Sequence, residues 1–467
     1  MFNPPYGVGI MLFETVVSEG IAHNSYIIGS GGSAAVIDPR RDCDVFTEIA
    51  DRGETVISHI FETHRNEDYV IGSRELSARC GAKIFHGAKL PFSYGNPVNE
   101  GDTFRFGSLE LSVLETPGHT EESISLVIKD RDVSADPFMI FSGDTLFTGD
   151  IARTDFYGID RNAEMAAKIF DSITKKILAL GDGVIVCPAH GAGSICGGEI
   201  VDHPFTTIGY ERKTNRMLLM GRKAFIEHRT RESPYVPPYF RQMEQYNKNG
   251  APNLGRFPLL RPLGVAPIRE LINTGAQVID IRSPTAFAAG HIPKSLSIWR
   301  DGIPAFAGWF LSYDRPVVLI DDFNLGLETV ATRFARLGYD NITGYLAGGF
   351  PAWFKAAQEI ASIGTCSVQQ LQERLQAESP FILDVRDIKN YLAIGHIRGA
   401  HHRYVGELPQ YLSEIPRNDP IVVYCDAGWK GSLAASYLAK NGYHHITNVL
   451  GGMQAWKRAG FPIENSL

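Results

Sequence analysis

Short apolar runs, each closed by a polar residue, set the rhythm of the first 230 positions. The opening reads as strands over Met11 to Val17, Asn24 to Ile28 and Ala34 to Pro39, with Gly31-Gly32 marking a hairpin between the last two. Val56, Ile57, Ile60 and Phe61 read as a buried strand, and Tyr69 to Leu76 begins a helix-like pattern. Strand and helix patterns then alternate to about residue 230. Residues 229–264 break this rhythm: Pro234, Pro237, Pro238, Pro252, Pro258 and Pro262 fall among Tyr, Arg, Asn and Gly. With little periodicity, the segment reads as a linker over a surface, unable to hold a long helix.

Beyond the linker the pattern repeats. Val278-Ile279-Asp280-Ile281-Arg282 matches Ile382-Leu383-Asp384-Val385-Arg386, and Gly290-His291-Ile292 matches Gly395-His396-Ile397. Pro316 to Ile320 matches Pro420 to Tyr424, and Gly348-Gly349 before Trp353 matches Gly451-Gly452 before Trp456. A period of about 104 residues is too long for a solenoid and suits duplicated α/β domains. Alternating β-branched strands and helices, such as Leu433 to Lys440, predict a parallel sheet in each copy.

The candidate chemistry lies where strands end. His64 and Asp68 follow the run ending at Phe61; His119, Asp144 and His190 follow the runs Leu111 to Leu114, Phe138 to Phe141 and Val184 to Val186. Such placement predicts polar ligands converging at one rim of a sheet. Their order resembles the metallo-β-lactamase superfamily, whose Thr-His-x-His-x-Asp-His motif is followed by later His, Asp and His ligands. Here Asn66 stands at the second His and Tyr69 at the last. The resemblance implies a first site of His64, Asn66, His119 and Asp144, and a second of Asp68, Tyr69, His190 and Asp144. Neutral Asn is a weak ligand for a transition metal, and a phenol of high pKa replaces imidazole in the second site. His64, His119 and Asp144 survive: two imidazoles and one carboxylate, the facial triad of non-haem Fe(II) oxygenases with open positions for substrate and O2.

The persulfide dioxygenase branch resembles this set. It implies one Fe(II) per chain, with zinc as the alternative, and leaves Asp68 and His190 to orient ligands or to mark a vestigial second metal site. Gly149 to Phe156 resembles a Gly-x-x-x-Arg-Thr-Asp-Phe segment of that branch. Arg153 is thus a candidate to meet a thiol substrate's carboxylate through its planar fork, or to pair with Asp155.

The repeated half resembles the rhodanese family. Cys425-Asp426-Ala427-Gly428-Trp429-Lys430 resembles that family's six-residue active-site loop, with Gly431-Ser432 opening a helix. N–H groups converging on Cys425 favour thiolate and can hold an anionic sulfur donor. Lys430 adds a point charge, and Trp429 walls the pocket or packs on a neighbouring domain. In the first copy Asp321 stands at the Cys position and Gly326 at the Lys position, which predicts a silent domain.

The resemblances imply an α/β chain: a metallo-β-lactamase αββα sandwich (1–230), a linker (231–260), and two rhodanese-like domains with parallel sheets (261–360 and 366–467). The joint function they imply is persulfide dioxygenase and sulfurtransferase. It oxidises a glutathione or coenzyme A persulfide with O2 to sulfite, passes sulfane sulfur through Cys425, and has thiosulfate as the joining product. A glyoxalase II-like thioester hydrolase and a non-oxidative sulfur carrier with a silent metal domain stand beside it.

Composition narrows the partners. The 467 residues allow two to four domains, and 44% hydrophobic and 21% charged residues describe an ordinary globular protein. A formal charge of -7 without a basic stretch argues against nucleic acid or an anionic membrane as partner. Met1 to Gly9 lack the marks of a signal peptide, and no run approaches the ~20 apolar residues of a membrane span. Six scattered cysteines suit a reducing, cytoplasmic setting. A homo-oligomer is compatible with all of this.

Overall fold

The structure, a computed structural model, describes residues 11–203, 205–255 and 260–465. The reading of Met1 to Gly9 and the role of Pro258 lie outside the described residues. The chain forms two compact units, one from residues 1–257 with 335–338 and one from residues 258–334 with 339–467.

In the first unit two six-stranded mixed sheets face each other. Alternate residues of facing strands fill the space between them, among them Ile28, Ile37, Phe61, Leu111, Val113 and Phe141. Helix Asp44–Arg52 covers the outer face of the first sheet with Phe46, Ile49 and Ala50, at the i, i+3, i+4 spacing of an apolar stripe. Helices Ile159–Ser172 and Arg222–Arg231 cover the second sheet through Ile169, Phe170 and Phe225. This is the expected αββα sandwich. Gly31 and Gly32 carry φ of 58° and 79° between strands paired at Ser30 and Ser33, as a two-residue hairpin turn requires.

Two stretches differ from expectation. The helix after the His64 loop begins at Ser73, not Tyr69, because Tyr69 and Val70 are spent as buried loop anchors. Residues 229–264 hold more order than their prolines suggest. The ten residues between Pro238 and Pro252 that form Phe240–Asn249 are proline-free and helical, and bury Phe240, Met243 and Asn247 at i, i+3, i+7.

The second unit contains two five-stranded sheets, all parallel, with the same order. From edge to edge, one runs Pro262–Leu263, Ile342–Leu346, Val317–Ile320, Gln277–Asp280 and Leu296–Ser297. The other runs Gly364–Cys366, Ile446–Val449, Ile421–Tyr424, Phe381–Asp384 and Ala400–His402. The central strands Val317–Ile320 and Ile421–Tyr424 are apolar and buried throughout, as strands covered on both faces must be. The repeated Gly-Gly pair has a steric cause: a Cβ on Gly349 or Gly452 would sit 2.1 Å from the carbonyl oxygen of Asp322 or Cys425. Trp353 and Trp456 are core anchors whose Nε1 groups donate to the carbonyls of Glu359 and Pro462. The six cysteines are free. Among the described residues no helix is long and apolar enough to cross a membrane.

Candidate metal centre and sulfur-carrier loop

Strand Val56–Glu62 delivers Thr63 and His64 into the interior of the first unit, and strand Met139–Gly143 delivers Asp144 beside them. His119 arrives from the loop after strand Leu109–Glu115, and His190 from the end of Ile185–Pro188. All five are buried. Gly143 is at φ 54°, and a Cβ there would lie 2.6 Å from Thr63 Oγ1, so the turn into Asp144 needs glycine.

Each imidazole is oriented from behind. The Thr63 hydroxyl donates to Asp38 Oδ2 at 2.7 Å, which leaves its oxygen to accept from His64 Nδ1 at 2.9 Å. His119 Nδ1 donates to the Arg153 carbonyl at 2.9 Å. Both rings therefore turn Nε2 inward, the orientation that hydrogen bonds from behind impose on metal-binding histidines. His64 Nε2 lies 3.9 Å and His119 Nε2 lies 3.6 Å from Asp144 Oδ2, and these three atoms make no hydrogen bond. All lie within 4.8 Å of one another. Buried polar atoms left unpaired are costly, and a metal accepting all three resolves the deficit. The donor set fits.

Electrostatics agree. Burial holds His64 down to about 4, a neutral ring ready to donate its lone pair. Burial opposes a charged His119 too, yet Glu67 and Asp144 carry it up to about 9. Burial alone would raise Asp144, but His190, His64 and His119 hold it well below the usual carboxylate range. The pocket's field calls for a cation.

Around the second metal position the remaining donors are hydrogen-bonded to one another, although Asp68, His190 and Cys196 stand close enough to hold an ion. His190 Nδ1 meets Asp144 Oδ1 at 2.7 Å and its Nε2 meets Asp68 Oδ2 at 3.0 Å, a ring donating to two carboxylates and so held as an imidazolium. Tyr69 bonds His23 Nε2 at 2.8 Å, and burial keeps its phenol well above 10. Asn66 is buried in the loop, its Nδ2 donating to the His64 carbonyl.

Three residues at this centre carried no signal in the sequence pattern. Glu67 stands in a free position of the motif, yet its Oε2 is unpaired, buried and 3.4 Å from His119 Nε2. Cys196 bonds Glu67 Oε1 at 3.0 Å, and burial pushes its thiol well up. Asn247, on the helix among the prolines, donates to the carbonyls of Asn66 and Tyr69 at 2.6 and 2.7 Å and accepts from Ile71 N–H at 2.9 Å. One amide thus fixes the backbone of the whole motif loop. Arg153 is buried. Its guanidinium forks onto both Asp155 oxygens at 2.7 Å and reaches the Tyr235 carbonyl, so the ion pair expected beside a substrate role is formed.

In the second unit, Cys425 follows strand Ile421–Tyr424 and its Sγ accepts from Gly428 N–H at 3.1 Å. Burial raises the thiol; the N–H groups of Gly431, Ala427 and Gly428 and the Lys430 ammonium pull the other way. Lys430 pairs with Asp426 at 2.7 Å. Trp429, 40% exposed, packs against Trp299 of the first copy with ring centroids 5.4 Å apart. In that first copy Asp321 Oδ2 accepts from the N–H groups of Phe323 and Asn324 and from Arg300.

Residues 19–190 match the metallo-beta-lactamase superfamily, and residues 265–356 and 367–459 each match the rhodanese-like domain. The mitochondrial persulfide dioxygenase ETHE1 of Homo sapiens is 28% identical over 217 residues, 44% of this chain and 74% of that protein. The hydroxyacylglutathione hydrolase GloC of Haemophilus influenzae is 25% identical over 210 residues, 40% of this chain and 87% of that protein. A metallo-beta-lactamase crystal structure from Staphylococcus aureus is 31% identical with a TM-score of 0.65, covering 72% of this chain and 99% of the other. With that coverage and the matched regions, the chain belongs to the metallo-beta-lactamase superfamily and carries two rhodanese-like domains behind its metallo-beta-lactamase domain.

Proposed function

We propose that this protein is a persulfide dioxygenase fused to a sulfurtransferase. The observation that supports the reading is one complete triad, His64, His119 and Asp144, beside a second position where Tyr69, bonded to His23, stands in place of a histidine ligand. A dinuclear hydrolase needs that second position; a mononuclear ferrous site does not. A ferrous ion held by the triad supplies the redox couple through which persulfide sulfur gives four electrons to dioxygen. The balance is one persulfide, one O2 and one water giving thiol, sulfite and two protons.

The chain's own residues do the rest. Thr63 and the Arg153 carbonyl hold the two imidazoles in their donating tautomers, and Asp68 and His190 fix the Asp144 carboxylate. Arg153 acts as a positioning residue through His119. At the other site, Cys425 carries the sulfane sulfur, its loop N–H groups and Lys430 balancing the terminal S⁻. Attack of sulfite on that outer sulfur breaks the S–S bond, forms thiosulfate and returns the Cys425 thiolate. Glutathione persulfide and coenzyme A persulfide are the substrates to try first.

The test is oxygen uptake with glutathione persulfide and sulfite detection. Wild type consumes O2 in step with sulfite; Asp144→Ala does neither yet still transfers sulfur from thiosulfate to cyanide. Hydrolysis of an acylglutathione without O2 uptake would favour a thioester hydrolase. Loss of both activities in Asp144→Ala with the fold intact would contradict two independent centres.

A further inference from the structure

A cleft of about 630 Å³ lies between the two rhodanese-like copies. It sits at the far end of helix Trp429–Lys440 from Cys425, so roughly 16 Å of helix separates the two. Lys294, Arg374 and Lys440 line it, with His291, His444 and His445, and no Asp or Glu belongs to its wall. That is unusual in a chain of formal charge -7. Lys294 and Lys440 have no carboxylate partner among the described residues. Arg374 pairs at 3.0 Å with Glu378, a mostly exposed side chain outside the wall, and also reaches Thr447 Oγ1 at 3.4 Å.

The backbone supports a built site. Lys294 has φ 65°, a left-handed conformation that a lysine avoids unless its surroundings hold it. Three cations thus line one cleft, and of them only Arg374 has a carboxylate partner among the described residues. Between the cations run apolar walls from Ile363, Tyr443 and Ile446. A simple oxyanion would fill only a fraction of such a volume, which falls in the range of small-molecule sites.

We propose that this cleft binds an organic phosphate of nucleotide size, its phosphates against Lys294, Arg374 and Lys440 and its apolar body against Tyr443 and Ile446. The ligand would contact both copies at once, which gives the silent copy a part in binding. Nothing in this inference depends on the metal centre.

The test is calorimetric titration of the whole chain with ADP, with adenosine and inorganic pyrophosphate as the two halves of the ligand. ADP should bind in the micromolar range, more weakly as salt rises, and at least ~10-fold more tightly than either half. Lys440→Gln should weaken ADP roughly 10-fold. Lys294→Asn removes a charge while keeping a residue that tolerates left-handed backbone, so it tests the cleft even if the helix variant folds poorly; it too should cost roughly 10-fold. Thiosulfate:cyanide transfer by Lys294→Asn should stay at the wild-type rate. ADP binding weaker than millimolar, or binding unchanged in Lys294→Asn, would overturn the site. Pyrophosphate binding as tightly as ADP would overturn the nucleotide-sized ligand.

Discussion

The two rhodanese-like copies share one scaffold and differ at one loop. In each, an apolar central strand runs into the loop, and a Gly-Gly pair closes on it: Phe350 N–H donates to the Asp321 carbonyl and Met453 N–H to the Cys425 carbonyl, at 2.7 and 2.8 Å. In each, a buried Arg bonds an Asp two residues earlier, Arg282 to Asp280 and Arg386 to Asp384. The loops part ways in what their N–H groups hold. Around Cys425 they act on a sulfur that can gain and lose a second sulfur. Around Asp321 they hold a carboxylate, with Arg300 bound to the same oxygen. A fixed anion thus occupies the cradle that a persulfide would use. The scaffold is shared, and the loops differ in the side chain their N–H groups hold and in Gly326 against Lys430.

The comparison breaks first at Cys425. Cys425→Ser should abolish thiosulfate:cyanide transfer, since a hydroxyl carries no sulfane sulfur, and mass spectrometry after a sulfur donor should find the extra 32 Da (roughly one sulfur) on Cys425 in wild type. Label on Cys43, Cys80, Cys187, Cys196 or Cys366 instead would misplace the carrier. The shared scaffold is probed next. Asp280→Ala and Asp384→Ala each strand a buried guanidinium, and each should lower the unfolding free energy by about 3–5 kcal/mol in urea melts. Asp322 stands 3.4 Å from Arg282, so the first copy should lose the smaller amount. A large loss in one copy alone would show that the scaffolds are not equivalent. The smallest effect is expected at the silent loop: Asp321→Ala should leave sulfur transfer within about 2-fold, because no transfer chemistry passes through a carboxylate. A drop beyond 10-fold would assign that loop a part in turnover.

Much of this was legible in sequence. Period marked the two copies and strand-end placement brought out the polar residues, while the family resemblances singled out the His64, His119 and Asp144 triad and the Cys425 loop, each a local pattern. What escaped notice was built by contacts between distant positions. Glu67 stands where the motif allows any residue, and only the fold brings its carboxylate to His119. Asn247 reaches the motif loop across about 180 positions, from a segment whose prolines masked a ten-residue helix. The departure from the motif was half visible: Asn66 and Tyr69 stand out in sequence, but the His23 bond to Tyr69 appears only in three dimensions.

The proposed function rests on a single iron held by His64, His119 and Asp144. Metal analysis of protein purified without oxygen tests it most directly. Wild type should hold close to one iron per chain and Asp144→Ala close to none, with no second metal bound when zinc is added. Two tightly bound zinc ions per chain, retained on dialysis, would contradict it.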